Sequence, residues 1–187
     1  MAAGIALAAA SASACATGDA GRGQAKAKPC AACHGTPHRP PLAGTPTLAG
    51  QTALCLELQL IMMREGLREV PVMAALMKGL TDADISDIAA YYARQTPPKI
   101  PAKRDPARYA RGALLAKAMI CDNCHGEDFR GRKHLPRLAG QREDYLIASL
   151  NSYRANTRTG IDTSMNELMY RVPDSDIEAL AHFLAHQ

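Results

Sequence analysis

The stretches "PCAACHG" at 29–35 and "ICDNCHG" at 120–126 place the pattern Cys-x-x-Cys-His twice in one chain, 91 positions apart. In covalent haem attachment, two such thiols bond to the haem vinyl groups and the adjacent histidine ligates the iron from one side. The pattern therefore predicts one haem c in each half. The predicted attachment residues are Cys30, Cys33, Cys121 and Cys124, and the predicted proximal iron ligands are His34 and His125.

Two other interpretations of these cysteines are open. A redox dithiol needs no histidine, so it gives the histidine of each motif no role. A single zinc ion could take all four thiols as ligands, with the two histidines as bystanders. The specificity of the five-residue motif favours haem over both.

The similarity between the halves extends well beyond these motifs. The segment "PTLAGQ" at 46–51 matches "PRLAGQ" at 136–141, and a stretch of twenty residues from Met73 matches one from Met165. The offsets of 90 and 92 positions differ only by short insertions. Such ordered similarity indicates one structural unit used twice.

Composition limits the class of protein. Each unit of roughly 85 residues buries a modest core and is marginally stable alone, so a covalent cofactor would supply missing apolar mass. The net charge is +4 with no tryptophan and two phenylalanines. Because no basic helix carries interleaved aromatic residues, nucleic acid is not predicted as a partner.

The predicted fold class is all-α, since apolar residues recur at helical spacing and no alternating strand pattern of useful length occurs. The helices are predicted to begin near Asp19, Thr52 and Thr81 in the first half and near Asp105, Arg142 and Asp174 in the second. The last helix is predicted to carry His182 and His186 off its apolar face.

The chain is predicted to divide into four segments. Residues 1–16 are small and apolar and resemble a secretory signal peptide, which predicts export to the periplasm. A mono-haem domain follows at 17–97, then a proline-rich linker at 98–106 and a second mono-haem domain at 107–187. A lipid anchor through Cys15 is not favoured, because Ala12 stands where a leucine is usual.

These motifs, in this order, resemble class I cytochrome c, and two such units in one chain resemble the di-haem cytochrome c4 family. The resemblance covers the chain after its first segment. It implies two tandem class I domains, each wrapped around one haem, and a periplasmic electron carrier in a respiratory chain rather than an enzyme. The alternative is the di-haem subunit of a multi-subunit oxidoreductase, such as a flavocytochrome sulfide dehydrogenase.

The second axial ligand of each iron is predicted to be a methionine. Periodicity alone leaves Met73 and Met77 open in the first half and Met165 and Met169 in the second, since each pair is four residues apart. In the family, the ligand lies seven residues before the residue that opens the last helix. This resemblance selects Met73 and Met165 and leaves the other two as core residues.

The resemblance also implies residues that support the haem. The carbonyl oxygens of Pro46 and Pro136 are expected to accept a hydrogen bond from the second ring nitrogen of each proximal histidine. Gly21 and Gly112, each nine residues before a motif, are expected to let the aromatic side chains Tyr91 and Phe183 of the last helices cross closely.

Four further polar residues recur in both halves, and they are predicted to contact haem propionates: Arg68, Arg158, Gln51 and Gln141. An ordinary solvated surface is the alternative for them. Cys55 breaks the repeat, because Tyr145 stands at the equivalent position, and it is predicted to be a buried small residue.

The predicted partners are redox proteins. A quinol–cytochrome c reductase as donor, a terminal oxidase as acceptor, or a dehydrogenase would each fit, with transient contact to membrane complexes. A loop with four basic residues, Arg130, Arg132, Lys133 and Arg137, follows the second motif and suggests a docking patch for an acidic partner. A solvated loop is the alternative.

Overall fold

The computed structural model describes residues 18–36, 39–99, 103–158 and 160–187, and within these ranges it contains helices and no strand. The predicted all-α class is confirmed. The predicted signal segment lies outside the described residues. No helix in the described ranges is long and apolar enough to cross a membrane.

Among the described residues, each half contributes five α-helices in the same order. The first half contains α1 (Ala20–Lys26), α2 (Ala31–His34), α3 (Ala53–Arg64), α4 (Pro71–Met77) and α5 (Asp82–Ala93). The second half contains α6 (Pro106–Ala118), α7 (Cys121–His125), α8 (Glu143–Arg154), α9 (Ser164–Met169) and α10 (Asp174–Ala185), with a short 3₁₀ helix at Glu127–Phe129.

Helix starts follow local capping chemistry. The side chains of Asp19 and Asp105 accept hydrogen bonds from the backbone at the starts of α1 and α6, at 2.7 and 2.9 Å. Thr81 and Asp84 form a reciprocal capping box at the start of α5. At α10 the predicted cap is displaced by one residue: Pro173 occupies the cap position and Asp174 is the first helical residue, where its charge favours the helix N-terminus.

Each half has its own apolar core, formed where the first, third and last helices of that half meet. Ile85, Ile88 and Ala89 lie on the buried face of α5, each at most 3 % exposed. The equivalent residues Ile177, Leu180 and Ala181 of α10 are likewise at most 2 % exposed. The predicted helical face is confirmed in both halves.

A glycine allows the first and last helices of each half to cross closely. A Cβ on Gly112 would lie 2.1 Å from the carbonyl oxygen of Ala179 and 2.5 Å from Cβ of Phe183. In the first half this position belongs to Gly23, whose Cβ would lie 1.9 Å from the carbonyl oxygen of Asp87. The prediction for Gly21 is therefore wrong, since Gly21 is exposed and faces away from α5.

The two crossings differ in their polar support. In the first half, Asp87 is buried and bonds to the side chains of Arg22 and Lys26, at 2.8 and 2.7 Å. The hydrogen bonds from Arg22 and Lys26, with one from the backbone of Asp19, hold the pKa of the Asp87 carboxyl well below its usual range. The equivalent position in the second half is Ala179, so the bonds of Asp87 are not repeated there, although Arg111 of α6 pairs with Asp176 of α10 at 2.9 Å.

The second half also contains a buried histidine. His182 is 2 % exposed, which corrects its predicted place off the apolar face of the helix. Its Nε2 accepts from the backbone N–H of Asp105 and its Nδ1 meets Glu143, both at 2.9 Å. His186 and Glu143 lie close enough to share a metal ion with it, but both His182 nitrogens are already occupied, so the group serves to join α6, α8 and α10.

Hydrogen bonds also join the two halves directly. The hydroxyl group of Thr52 donates to the carbonyl oxygen of Lys133 at 2.6 Å, and the backbone N–H of Gly44 donates to Asp144 at 2.9 Å. Each contact joins the segment before α3 in the first half to the segment before α8, or to the first turn of α8, in the second half. The repeated units are therefore packed against each other through the loops that precede their third helices.

Candidate haem sites

Each Cys-x-x-Cys-His motif forms one short helix, α2 or α7. Cys33 and Cys124 are exposed, whereas Cys30 and Cys121 are partly covered by the adjoining core. A glycine with positive φ follows each histidine and ends the helix there. The first cysteine of each motif therefore lies against the core at the start of a short helix, Cys30 at the cap position of α2 and Cys121 as the first residue of α7, and the second cysteine lies on the exposed side of that helix.

The two motif histidines are held in the same way. In each half, the histidine Nδ1 lies 2.9 Å from the carbonyl oxygen of a proline, Pro46 for His34 and Pro136 for His125. Because a carbonyl can only accept, Nδ1 carries the proton, and Nε2 is left with its lone pair. The hydrogen bond implied by the resemblance is present twice.

Burial favours the neutral forms of the motif side chains. It lowers the pKa of His34 and of His125, which favours the neutral imidazole that ligates a metal. It raises the pKa of the Cys30 thiol and raises that of Cys121 to about 11, so neither is a reactive thiolate by itself.

The methionines of each half fall into two environments. Met77 and Met169 are 1 % exposed and belong to the apolar cores. Met73 and Met165 are only half-buried and lie at the edges of the same cores. A thioether at the edge of the core can contact a metal ion outside it, whereas a fully buried thioether contacts only the core residues around it.

Sequence reasoning did not identify two arginines that hold the motif helices. The guanidinium of Arg39 donates to the carbonyl oxygens of Ala31 and Ala32 at 2.5 and 3.3 Å. That of Arg132 donates to the carbonyl oxygen of Asn123 at 2.9 Å. Each cation thus satisfies free carbonyls of the attachment helix. The two arginines lie at different numbers of residues after their motifs, so an alignment of the two halves does not pair them.

The predicted propionate contacts Arg68 and Arg158 come together although they belong to different halves. Burial raises the pKa of the Tyr145 phenol, but Arg158 and Arg68 outweigh this effect and lower it to about 8. Arg158 also donates to Ser149 at 2.8 Å, and Arg68 donates to Gln59. In the described ranges neither guanidinium has a carboxylate partner within salt-bridge distance.

Cys55 lies near the same two arginines. It is 5 % exposed, so the predicted buried environment is confirmed. Burial raises the pKa of its thiol to about 11 despite the nearby positive charges of Arg158 and Arg68. A thiol with this pKa stays protonated at neutral pH and packs as a small apolar group.

The structure uses Gln51 and Gln141 differently from the prediction. Each side-chain amide bonds to the backbone of the opposite half: Gln51 to Arg137, and Gln141 to Thr47. Both glutamines are less than 9 % exposed. The hydrogen-bonding groups of both amides are therefore used in the contact between the halves. Their positions in the sequence repeat did not indicate these partners.

The residues present fit a covalently bound haem in each half. Each motif offers two thiols, one imidazole with a free Nε2, and a half-buried thioether within the same unit. Two arginines without carboxylate partners offer positive charge for acidic groups at the contact between halves. Bound haem would supply a one-electron redox centre.

Comparison with known proteins agrees with this geometry. The family model described as cytochrome c matches residues 109–187. A cytochrome c4 of Pseudomonas aeruginosa is 35 % identical over 171 residues, covering 86 % of this chain and 84 % of that protein. A protein of Thiomonas intermedia named thiosulfate dehydrogenase electron acceptor is 32 % identical, covering 87 % of this chain and 80 % of that protein.

A solved structure shares the arrangement of both halves of the chain. It is the reduced recombinant cytochrome c4 from Pseudomonas stutzeri, with a TM-score of 0.82 and 30 % sequence identity. The match covers 90 % of this chain and 98 % of the solved one. The likeness therefore extends to the way in which the two halves are combined.

Proposed function

The chain belongs to the cytochrome c4 family and is an electron-transfer protein rather than an enzyme, and on this premise we propose that it carries two haem c groups, one in each half. The observation that carries the proposal is the repeated hydrogen bond between histidine and proline carbonyl, 2.9 Å long in both halves. One such site would serve a mono-haem protein, whereas two identical ones support two irons.

The proposed ligand sets combine the family resemblance with the burial of the methionines, which supports them. His34 and Met73 would ligate the first iron, and His125 and Met165 the second. Their thioether ligands favour ferrous iron and so raise the reduction potential. With a histidine and a methionine bound to it, neither iron would offer an open position to a substrate, which suits electron transfer.

The proposed domains are residues 17–97 and 107–187, joined by the linker 98–106. Each has its own apolar core in the described ranges. Arg68 and Arg158 are proposed to bind haem propionates where the halves meet. Their positive charges would there balance the negative charges of the propionates.

Haem content tests this proposal. Metal analysis of the purified protein should give two irons per chain and no zinc, with the colour retained after acid–acetone extraction because the thioether bonds are covalent. Replacing both Cys121 and Cys124 with alanine should leave one covalent haem, held by Cys30 and Cys33.

The reciprocal variant, with Cys30 and Cys33 replaced, serves as the matched control and should also retain one haem. Zinc in place of iron, or a single haem in the unaltered protein, would contradict the proposal. Loss of both haems from either variant would show instead that the halves cannot mature separately.

We place this electron carrier in the periplasm, as the signal-like residues 1–16 suggest. A quinol–cytochrome c reductase or a dehydrogenase would supply its electrons, and a terminal oxidase would receive them. The relative named thiosulfate dehydrogenase electron acceptor favours a second candidate, in which a sulfur-oxidising enzyme is the donor. In that case the chain would be the electron-accepting subunit of an enzyme complex.

The basic loop near the second haem site suggests where a partner docks. Arg130, Arg132 and Lys133 are exposed. Arg137 is excluded from this surface, since it is half-buried and its guanidinium points to the carbonyl oxygen of Ala49. We propose that the three exposed residues guide an acidic redox partner to the second half.

Charge reversal tests the docking surface. The double variant Arg130→Glu and Lys133→Glu should slow electron exchange with an acidic partner roughly tenfold at low salt and flatten its salt dependence. Arg132 is kept, because it supports α7. Stopped-flow kinetics measures the rate, and the control Lys28→Glu with Lys78→Glu makes the same charge change in the first half. Equal slowing by both variants would indicate that net charge alone sets the rate.

A further inference from the structure

We propose that Gln51 and Gln141 are positioning residues, each of which tunes the iron site of the opposite half. Each would act through the peptide group that orients the proximal histidine there. The inference rests on the proposed ligation of iron by His34 and His125. It assigns a role in electron transfer to two side chains that touch neither iron ligand.

The first connection runs from the second half to the first. The carbonyl oxygen of Pro46 accepts from Nδ1 of His34 at 2.9 Å. The N–H of that same peptide group belongs to Thr47, and it donates to Oε1 of Gln141 at 2.7 Å. A single peptide group therefore lies between the histidine of one half and the glutamine of the other.

The second connection runs in the opposite direction with the same parts. The carbonyl oxygen of Pro136 accepts from Nδ1 of His125 at 2.9 Å. The N–H of that peptide group, contributed by Arg137, donates to Oε1 of Gln51 at 2.6 Å. The same pattern occurs in both directions, although the residue after the proline is threonine in one half and arginine in the other. This recurrence argues against an incidental contact.

Both glutamines are fixed at three points. Beyond the bond already described, the Nε2 groups of Gln51 and Gln141 donate to the carbonyl oxygens of Arg137 and Thr47, at 3.1 and 3.0 Å. Each Oε1 also accepts the backbone N–H of the following residue in its own half, at 3.0 and 2.9 Å.

Burial protects these bonds. Gln51 is 8 % exposed, Gln141 is 4 % exposed and Thr47 is 2 % exposed. Bulk water therefore does not compete for the amide groups, and hydrogen bonds are stronger in such surroundings. The N–H of each peptide group is therefore held by the half that does not contain it.

Hydrogen bonds in series polarise one another, so the sign of the effect can be derived. When the peptide N–H donates to glutamine, the carbonyl of that peptide becomes a better acceptor. It then draws the Nδ1 proton of the histidine more strongly, which makes the imidazole a more basic ligand. A more basic ligand favours ferric iron, so each glutamine lowers the potential of the opposite iron.

The test uses the holoprotein and two variants, Gln141→Met and Gln51→Met, which remove the amide and approximately keep the side-chain volume. An NMR-monitored redox titration follows the haem methyl signals of each half separately. Gln141→Met should raise the potential of the first-half iron and leave that of the second unchanged. Gln51→Met should do the reverse.

Amide hydrogen exchange gives a second readout that does not depend on the iron. In Gln141→Met, exchange at Thr47 should become roughly tenfold faster, as expected from the loss of one buried hydrogen bond. Exchange at Arg137 should stay the same in that variant. The pattern should again be reversed in Gln51→Met.

Shifts of equal size in both halves, or in the half that carries the substitution, would overturn the inference and leave the glutamines a purely structural role. Unchanged potentials would overturn it as well. If one variant fails to fold, the other decides, because each predicts its own crossed effect. Absence of two sets of haem methyl signals from the unaltered protein would instead refute the proposed function.

Discussion

Replacing Met73 with histidine is expected to lower the potential of the first-half haem by a few tenths of a volt, within the range of about 0.8 V that axial ligands cover. Imidazole stabilises ferric iron better than a thioether does. The weak long-wavelength absorption band that methionine ligation gives ferric class I cytochromes should fall by about half. Spectroelectrochemical titration measures both quantities, and Met165→His should have the same effect on the second haem.

Met77→Leu is the matched control, four residues along the same helix. Met77 is 1 % exposed and lies in the apolar core, so the substitution should change neither the potential nor the band. A small loss of stability is expected, since the two side chains have similar volumes. If Met77→Leu removed the band and Met73→Leu did not, the ligand assignment would have to be exchanged.

Gly23→Ala is expected to destabilise the first half by about 3 kcal/mol or more, because the structure has no room for a methyl group. The new Cβ would lie 1.9 Å from the carbonyl oxygen of Asp87 and 2.8 Å from Cβ of Tyr91. Neither is the flexible end of a side chain, so α1 and α5 would have to move apart. Denaturant unfolding followed by circular dichroism measures the change.

Gly21→Ala provides the control two residues earlier on the same helix. Gly21 is exposed, and the nearest atom to an added Cβ is Oδ1 of Asp19 at 3.2 Å. Replacing an exposed helical glycine with alanine should leave stability unchanged or raise it by up to about 1 kcal/mol. Equal destabilisation by the two variants would contradict the close crossing at Gly23.

Local signals made much of the fold predictable. Asp19, Thr52 and Thr81 are good caps, and they mark helix starts without reference to the rest of the chain. The glycine at the helix crossing was harder to predict, because its position was assigned by counting back from the first cysteine of the motif. That glycine lies seven residues before the first cysteine of the motif in the first half and nine before it in the second, so equal spacing selected the wrong residue.

The motif identified the cysteines and histidines, because their chemistry requires fixed spacing along the chain. The partners of Gln51 and Gln141 are different, since each lies about 90 positions away in the other half. Their contact depends on how the two units pack. Buried His182 was missed for a similar reason: it is covered by α6 and α8, which no periodicity in α10 reveals.

The reciprocal hydrogen bonds of Gln51 and Gln141 form an isologous contact, in which equivalent surfaces of two similar units pack against each other. Each unit carries both a glutamine and a peptide group that bonds to the glutamine of the other unit. Two separate copies of one unit would therefore have all the groups that this contact requires. Within one chain, the second copy is present at an effective concentration on the order of millimolar. The tandem arrangement thus keeps the two units paired at any dilution, which a dimer of separate units would not do.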